Sequence, residues 1–316
     1  MCYKGTVMQP TLFRIPGLDL PVYSYGVMFV VGFLAAVGLA AWRARRADLD
    51  VSHVIDLALV SFISGMLGAR LFFYLQFYDR FFADAPWWAI LAVWEGGVVW
   101  YGGLIGATLA GLGFLWLRGL PVLHVADIVA PAVVLGQAFG RVGCFLNGCC
   151  WGTIIEPSHW VHRTFPGLTQ FPRIARDGEI VGAPALLQHL NPELMARLYP
   201  EIEPLSLAAT ASHPVHPVQL YAALAGLLLA GGLLLLSRWC PRKGQLLCLL
   251  LVGYGLQRFA LELLRGDHVH FVRVLGASLT VSQVVSCVLV PLGVVGFVVL
   301  EMRGRRARAE KMATLS

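Results

Sequence analysis

The sequence predicts an all-α integral membrane protein of about seven transmembrane helices, N-out/C-in, and three observations predict it. Hydrophobic residues make up 58% of the 316 residues and charged residues only 13%, whereas a soluble domain carries about 25% charged residues. The charge is missing in blocks, as transmembrane spans of roughly 17–25 apolar residues require. Basic residues collect in short segments between these blocks, which is typical of cytoplasmic loops.

The seven predicted spans follow one another along the whole chain, so we predict one polytopic membrane domain over residues 1–316. The spans are residues 22–42, 54–77, 98–117, 125–146, 217–237, 244–264 and 279–300. Between the fourth and fifth spans, residues 147–216 are rich in proline and contain only short apolar patches. Proline at this density indicates irregular structure, and we predict that this insertion is a periplasmic head segment.

The distribution of basic residues predicts the orientation. With the N-terminus outside, twelve of the 24 lysines and arginines fall in short cytoplasmic segments, as the positive-inside rule requires. They are Arg43, Arg45, Arg46, Arg118, Arg238, Arg242, Lys243, Arg303, Arg305, Arg306, Arg308 and Lys311. The same bias explains the net charge of +6, so we predict a membrane-lipid environment and no nucleic-acid partner.

Three arginines lie inside predicted spans: Arg70, Arg141 and Arg258. An arginine in the middle of a transmembrane helix costs about 2.5–3.5 kcal/mol on insertion scales. Such residues face a polar cavity and mark function, or they form an ion pair inside the helix bundle, and both interpretations stay open here. Glu262 lies one helical turn after Arg258 and is a candidate partner for it.

Arg141 stands in a glycine-rich segment that runs from Gly140 to Gly152. A helix broken at these glycines would aim backbone N–H groups into a cavity, and guanidinium with free N–H groups suits a phosphate or a carboxylate. The cysteines in this segment, Cys144, Cys149 and Cys150, lack the CxxC spacing of zinc sites, so we predict packing or inert thiols and no metal. Cys248 and Cys287 are expected to be small core hydrophobes.

Two further patterns lie at the fifth and sixth spans. His216 precedes the fifth span, where a histidine serves either as a base near neutral pH or as a hydrogen-bonded structural group. In the sixth span, Tyr254, Arg258, Glu262 and Arg265 are spaced by four, four and three residues, which places them on one helix face. A polar stripe on a lipid-embedded helix must face protein or water.

Seven short motifs follow one another along the chain in a fixed order. They are Tyr25-Gly26-Val27-Met28, Gly65 to Leu71, Trp94-Glu95-Gly96-Gly97, Tyr101 to Gly106, Gly140-Arg141-Val142-Gly143 through Asn147-Gly148, His216 to Tyr221, and Tyr254-Gly255 through Arg258, Glu262 and Arg265. Each motif is weak alone, but the ordered set resembles the prolipoprotein diacylglyceryl transferase family over the whole chain.

The resemblance implies a reaction in the bacterial inner membrane. Enzymes of this family move the diacylglyceryl group of phosphatidylglycerol to the lipobox cysteine thiol of a preprolipoprotein. Glycerol phosphate leaves, a thioether forms, and no metal or cofactor is needed. The partners implied are therefore phosphatidylglycerol and preprolipoprotein signal peptides. A lipid-binding or transport protein without chemistry and an inactive relative of the transferase are the alternatives.

The resemblance also implies roles for individual residues. Arg141 and Arg258 are expected to bind the phosphate, and Glu262 is expected to orient Arg258. Arg265 is expected to lie at the outer opening of the site. The supporting substrate-binding residues are expected to be Tyr25, Asn147, Gln219, Tyr254 and Arg70.

Position 101 is the main departure from the family pattern. The family often has histidine there as a proposed base, whereas this chain has Tyr101, and tyrosine is ordinarily a poor base at neutral pH. Either Tyr101 donates a hydrogen bond to the phosphate, or His216 or a lipid oxygen accepts the thiol proton. Cys144 and Cys149 also stand in place of the usual asparagine and glutamate, and Ala222 in place of a glutamate.

Overall fold

A computed structural model describes residues 11–17, 20–78, 87–91, 97–171, 175–176, 179–180, 188–206, 209–266, 272–274 and 277–313. The chain divides into two compact units, which are described separately below. The first unit contains Met1–Ala36 and Ala130–Ser316, and the second contains Val37–Val129.

Helices dominate the part of the chain that the structure describes. The long helices are α1 (Ser24–Arg46), α2 (Val51–Gln76), α3 (Trp100–Leu117), α4 (Val122–Asn147), α8 (Val218–Leu236), α9 (Gln245–Glu262) and α10 (Val281–Ala313). The short helices are α5 (Trp160–Thr164), α6 (Pro166–Thr169) and α7 (Pro192–Leu198), and Trp87–Leu91 forms a 3₁₀ turn. Three antiparallel hairpins pair β1 (Thr11–Ile15) with β2 (Leu20–Tyr23), β3 (Ala175–Arg176) with β4 (Glu179–Ile180), and β5 (Val272–Val274) with β6 (Ala277–Leu279).

Six of the long helices are long and apolar enough to cross a membrane: α1, α2, α3, α4, α8 and α10. Many of their large apolar side chains point outward, among them Leu34, Leu109, Leu228 and Val288, as a lipid-facing surface requires. An all-α membrane protein is therefore confirmed. The sixth predicted span, α9, is a helix but is not among the six, because its polar residues lower its mean hydropathy. The count of seven and the N-out/C-in orientation stay predictions.

The predicted spans agree with these helices to within a few residues, except at the last one. α10 continues to Ala313, well past the predicted end at residue 300, because a run of basic residues keeps helical geometry once it leaves the apolar region. Arg305 and Glu301 lie 3.0 Å apart, four residues along this extension, and such pairs support a helix in water. Cys287 on α10 is exposed, so the prediction of a core position was wrong for it, whereas Cys248 is buried as predicted.

Glycines let α2 and α3 approach closely in the second unit. A Cβ built at Gly68 would collide with the carbonyl oxygen of Gly102 and lie 3.1 Å from the Cα of Gly106. Close backbone approach through small residues is the usual way in which transmembrane helices associate. The motifs from Gly65 and from Tyr101 therefore build a helix pair.

In the first unit, α4 packs against α1 and α8 at small residues. A Cβ at Gly32 of α1 would lie 2.7 Å from the Cβ of Phe139, and a Cβ at Gly226 of α8 would lie 3.3 Å from that of Ala138. Pro131 lies inside α4, and the helix continues through it. These contacts hold the C-terminal half of α4, which carries Arg141, in the middle of the unit.

The described part of the predicted head segment contains only short elements. Its core is formed by Trp151, Phe171 and Val215 against Phe145 at the end of α4. The Trp151 indole N–H donates to the Gln188 side chain at 2.7 Å. This small core therefore fixes the chain that leaves α4 against the chain that enters α8.

Candidate functional site

The first part of the site lies at the end of α4. Gly143 faces the start of α1, where a Cβ would lie 3.2 Å from the Cβ of Met28 and 3.2 Å from the Tyr25 ring. Tyr25 is within electrostatic range of Arg141 and of the three neighbouring cysteines. The half-buried Arg141 guanidinium makes no hydrogen bond or ion pair with any residue that the structure describes. It is therefore available to a ligand.

The second part lies at the end of α9 and the start of α10. The Arg258 guanidinium lies 2.8 Å from a Glu262 carboxylate oxygen and donates to the Ser282 hydroxyl at 2.8 Å. Arg265 lies 3.8 Å from the same carboxylate. Glu262 is buried, with 3% of the residue exposed. It is thus positioned to orient Arg258, the partner predicted from the sequence, and also Arg265.

Arg141 and Arg258, predicted from separate motifs, come within electrostatic range of each other in the folded chain. Arg258 is within electrostatic range of both Arg141 and Arg265, and of the Tyr254 hydroxyl. The guanidinium groups of Arg258 and Arg265 flank the Glu262 carboxylate, and Arg141 adds a third positive charge within electrostatic range of Arg258. This leaves an excess of positive charge in a partly buried place. Such an excess is costly without an anion, and guanidinium forks match phosphate and carboxylate oxygens.

Thr280 and Ser282 were not predicted as part of the site. The Thr280 hydroxyl donates to Glu262 at 2.9 Å. The Thr280 N–H also donates to the Gln283 side chain at 3.0 Å, and the Gln283 N–H donates back to the Thr280 hydroxyl at 3.3 Å. This reciprocal pair is a capping box at the start of α10. The signal was present in the sequence as Thr280 followed three residues later by Gln283, ahead of an apolar run.

A tight turn follows α4 and carries Gln219 with it. Gly148 (φ 73°) and Cys150 (φ 59°) both have left-handed backbone conformations, which reverse the chain. The Gln219 side chain, buried in α8, donates to the Cys149 carbonyl at 2.8 Å. Asn147 is the last residue of α4, and its side chain lies close enough to influence the Cys149 thiol. Gln219 thus holds this turn and contributes to the site through it.

Three sulfur atoms meet at this turn. The Sγ atoms of Cys144, Cys149 and Cys150 all lie within 4.8 Å of one another. Hydrogen bonds from the other two thiols, aided by the charges of Arg265 and Arg141, lower the pKa of Cys150 despite its burial. The spacing of these cysteines along the chain gave no sign that their side chains meet.

His216 lies beside a short backbone ribbon, just before α8. The Gly152 N–H donates to the His216 carbonyl at 3.0 Å, and the Thr153 N–H donates to the Leu264 carbonyl at 2.8 Å. Gly152 also forms a bridge with Arg265. A Cβ at Gly152 would lie 2.6 Å from the His216 Cβ, so only glycine fits. The ribbon therefore places His216 and Arg265 on its two edges.

The surroundings of His216 favour the neutral form of its imidazole. Burial, with a smaller effect from the nearby His159, lowers the pKa of His216 below its usual value. The His216 and His159 rings lie 5.2 Å apart, and the Tyr221 hydroxyl lies 3.5 Å from His216 Nδ1. A neutral imidazole can accept a proton, as a base requires.

Two predicted site residues, Arg70 and Tyr101, belong to the second unit. Arg70 is buried and donates to the carbonyl oxygens of Ile90 and Gly97, each at 3.3 Å. This geometry favours the structural interpretation, since the guanidinium holds the chain that follows α2. The Tyr101 ring packs edge-on against Trp100 at 5.2 Å. The Trp94-Glu95-Gly96 part of the motif lies outside the described residues.

Comparisons with known proteins agree with the motif pattern. A family model described as prolipoprotein diacylglyceryl transferase matches residues 10–299. A relative from Burkholderia lata named phosphatidylglycerol–prolipoprotein diacylglyceryl transferase is 34% identical over 301 residues, which cover 92% of this chain and 94% of the relative. A relative of the same name from Paraburkholderia phytofirmans is 33% identical over 311 residues, 94% of each chain.

A third relative matches over a shorter stretch. A relative of that name from Rhodopirellula baltica is 40% identical over 160 residues, which cover 49% of this chain but only 31% of the relative. The full-length matches and the family model together decide the assignment. The chain therefore belongs to the prolipoprotein diacylglyceryl transferase family.

Proposed function

We propose that this protein transfers the diacylglyceryl group of phosphatidylglycerol to the lipobox cysteine thiol of preprolipoproteins, in the bacterial inner membrane. The observation that carries the proposal is the pairing of Arg258 and Arg265 with one buried carboxylate, with Arg141 within electrostatic range of Arg258, in a chain of this family. An amphiphile with an anionic head fits a positively charged site at the end of apolar helices, because its acyl chains stay in lipid while its phosphate reaches the guanidinium groups.

The chemical step is a displacement at carbon. The thiol sulfur of the lipobox cysteine forms a C–S bond with the terminal glycerol carbon of the diacylglyceryl group. The C–O bond from that carbon to the phosphate breaks, and glycerol phosphate leaves with the electron pair and an added negative charge. No metal or cofactor enters this balance.

Arg141 and Arg258 are the groups that would stabilise the leaving phosphate. Charge that develops in a transition state is best stabilised by donors that are already in place. Arg258 is held by Glu262 and Ser282, so it is fixed before substrate arrives. Arg141 makes no such contacts among the described residues and supplies the second guanidinium. Arg265 widens the positive field, and the Tyr25 and Tyr254 hydroxyls lie within electrostatic range of Arg141 and Arg258, respectively.

The thiol proton needs an acceptor, and two residues are candidates. The low pKa of His216 keeps its imidazole neutral, and the ribbon at Gly152 ties it to Arg265. Tyr101 stands where the family pattern expects histidine. We favour His216 as the acceptor, and the hydrogen bond from Tyr101 to the phosphate is the alternative role to be tested for that residue. A lipid oxygen is the third acceptor to be distinguished.

The activity is tested with purified full-length protein in lipid nanodiscs that contain phosphatidylglycerol. A lipobox peptide is added, and both glycerol phosphate release and peptide mass are measured. The proposal expects one glycerol phosphate for each peptide that gains a diacylglyceryl group. Saturable lipid binding with neither product would instead support a lipid-binding protein or an inactive relative. The variants Tyr101→Phe and His216→Gln then show which side chain the proton transfer requires.

A further inference from the structure

The thiol cluster beside Arg141 is a feature that the transferase reaction does not use. The sulfur atoms of Cys144, Cys149 and Cys150 lie within 4.8 Å of one another, and all three residues are half-buried. The other described cysteines, Cys240, Cys248 and Cys287, do not join them.

An unfavourable backbone conformation at Cys150 helps to bring these sulfur atoms together. Cys150 has φ 59°, a conformation that is uncommon for a residue with a side chain. Residues in sparsely populated backbone regions are strained and collect at functional sites. The Cys149 N–H donates to the Cys144 carbonyl at 3.1 Å, which closes the turn onto the helix end. The buried Gln219 side chain holds the same turn from α8.

The surroundings of the cluster are polar. Asn147 lies close to the Cys149 thiol, and Arg141 and Arg265 lie within electrostatic range of Cys150. Thiols that merely fill a core lie among apolar groups, as Cys248 does where it packs against α10.

The spacing of the sulfurs fits one thiophilic metal ion. Zinc–sulfur bonds are about 2.3 Å, so thiolates that share an ion lie about 3.8–4.0 Å apart. Small side-chain rotations would bring the three sulfurs from their present separation to that distance. Three cysteines suit such an ion better than a disulfide, which would leave one thiol over.

We propose that Cys144, Cys149 and Cys150 form a binding site for one thiophilic metal ion of the zinc class. Each thiol releases its proton on binding, so three thiolates and one Zn²⁺ give a complex of charge −1, which the nearby guanidinium groups of Arg141 and Arg265 balance. Among the described residues no histidine or carboxylate joins the three sulfurs, so the site has three protein ligands.

Metal binding would stiffen the end of α4. Cys144 lies three residues after Arg141 and three before Asn147, on neighbouring positions of one helix face. An ion that links Cys144 to Cys149 and Cys150 would tie this helix end to the turn beyond it. The ion thereby holds the segment that presents Arg141, without taking part in the displacement itself.

The test is a zinc titration of the full-length, reduced, metal-free protein in detergent, in competition with a chromophoric chelator. The proposal expects one Zn²⁺ per chain and zinc–sulfur distances of about 2.3 Å by X-ray absorption. Cys149→Ser and Cys150→Ser should each weaken binding by more than about tenfold, the loss that even outer-shell partners cause. Cys287→Ser, on the exposed face of α10, is the matched control and should bind as the wild type does.

A second measurement needs no variant. Zinc should protect three thiols of the wild-type protein from alkylation, as counted by mass spectrometry. The proposal is overturned if no thiols are protected, if Cys149→Ser binds zinc as tightly as the wild type, or if the protein purified without reductant is two hydrogens lighter and carries a disulfide within the cluster. Because the readout is metal binding, it is independent of whether the transferase activity is found.

Discussion

Glu262 shows how one buried carboxylate can organise two arginines. It lies 2.8 Å from Arg258 and 3.8 Å from Arg265, and it accepts a hydrogen bond from Thr280. A buried ion pair adds little net stability, but removing one partner leaves the other charge buried and unpaired. Glu262 is therefore a positioning residue, and its loss should affect stability as well as turnover.

The first prediction follows from that arrangement. Glu262→Ala should lower the free energy of unfolding by on the order of 3 kcal/mol, because Arg258 and Arg265 lose their shared anion while staying mostly buried. Thermal unfolding in detergent measures it. Glu193→Ala, at an exposed position of α7, is the control and should leave the melting temperature unchanged. Equal melting temperatures for the two variants would contradict the role of Glu262.

The second prediction concerns His189, which packs against Trp151 of the head-segment core. Burial, with a smaller effect from His213, lowers the pKa of His189 to about 3 from its usual 6.5. The unfolded chain therefore binds a proton between pH 6.5 and about 3 that the folded chain does not, so stability falls as the pH drops through this window. His189→Gln should show a smaller fall in melting temperature from pH 7 to pH 4 than the wild type.

His189 has a clear structural reason for staying neutral. Its ring meets the Trp151 ring edge-on at 4.6 Å, and its Nδ1 accepts from the His213 N–H at 3.2 Å. His124→Gln, at the opposite end of α4, serves as the control and should keep the wild-type pH dependence. If His189→Gln is as acid-sensitive as the wild type, another group causes the loss.

At the scale of elements, the start of α10 links helix stability to the site. Thr280 caps α10 and also hydrogen-bonds Glu262. Thr280→Val keeps the shape but removes both hydrogen bonds, so we expect a loss of about 1–2 kcal/mol of stability together with slower turnover. Thr280→Ser keeps the hydroxyl and should recover most of both. Chemical unfolding and the glycerol phosphate assay measure the two effects, and similar results for both variants would contradict this link.

The spans were predictable because each is a run of apolar residues, and α1, α2, α3, α4 and α8 end within a few residues of the predicted limits. The rest depended on contacts that a linear pattern does not contain. The hairpins before α1 and α10 carry no strong alternation of polar and apolar residues. The turn after α4 needs a left-handed Cys150, which no propensity predicts for cysteine, so the meeting of three sulfurs was missed.

The sequence pointed to the arginines of the candidate site but not to the residues that hold them in place. Arg141 and Arg258 stood out because charge inside an apolar run is costly. Ser282 did not stand out, since a serine near a helix start is usually a cap or a solvated group. Arg70 carried the same signal as Arg141, but its partners are backbone carbonyls of Ile90 and Gly97. The energetic cost of an arginine in an apolar span therefore indicates only that some polar group must pair with it. The folded structure is needed to show whether that group belongs to the protein or to a ligand.

At the scale of the whole molecule, the number of spans decides on which side the C-terminus lies. With seven spans the termini lie on opposite faces of the membrane, whereas without α9 they would lie on the same face. We predict that an impermeant maleimide labels Phe13→Cys and Glu156→Cys in intact spheroplasts, and labels Arg306→Cys only after permeabilisation. The protein without these substitutions, which has its own cysteines, gives the background labelling. Labelling of all three positions in intact spheroplasts would exclude the seven-span arrangement.

The most direct test of the central claim is the rate of glycerol phosphate release by arginine variants in the same nanodiscs. Arg141→Ala and Arg258→Ala should each lower the rate by about 10²–10³-fold, the usual effect of removing one donor to a developing charge. Arg305→Ala, which removes an exposed arginine of α10, should release glycerol phosphate at the wild-type rate. Wild-type rates from folded Arg141→Ala and Arg258→Ala proteins would contradict the claim that these two guanidinium groups bind the phosphate.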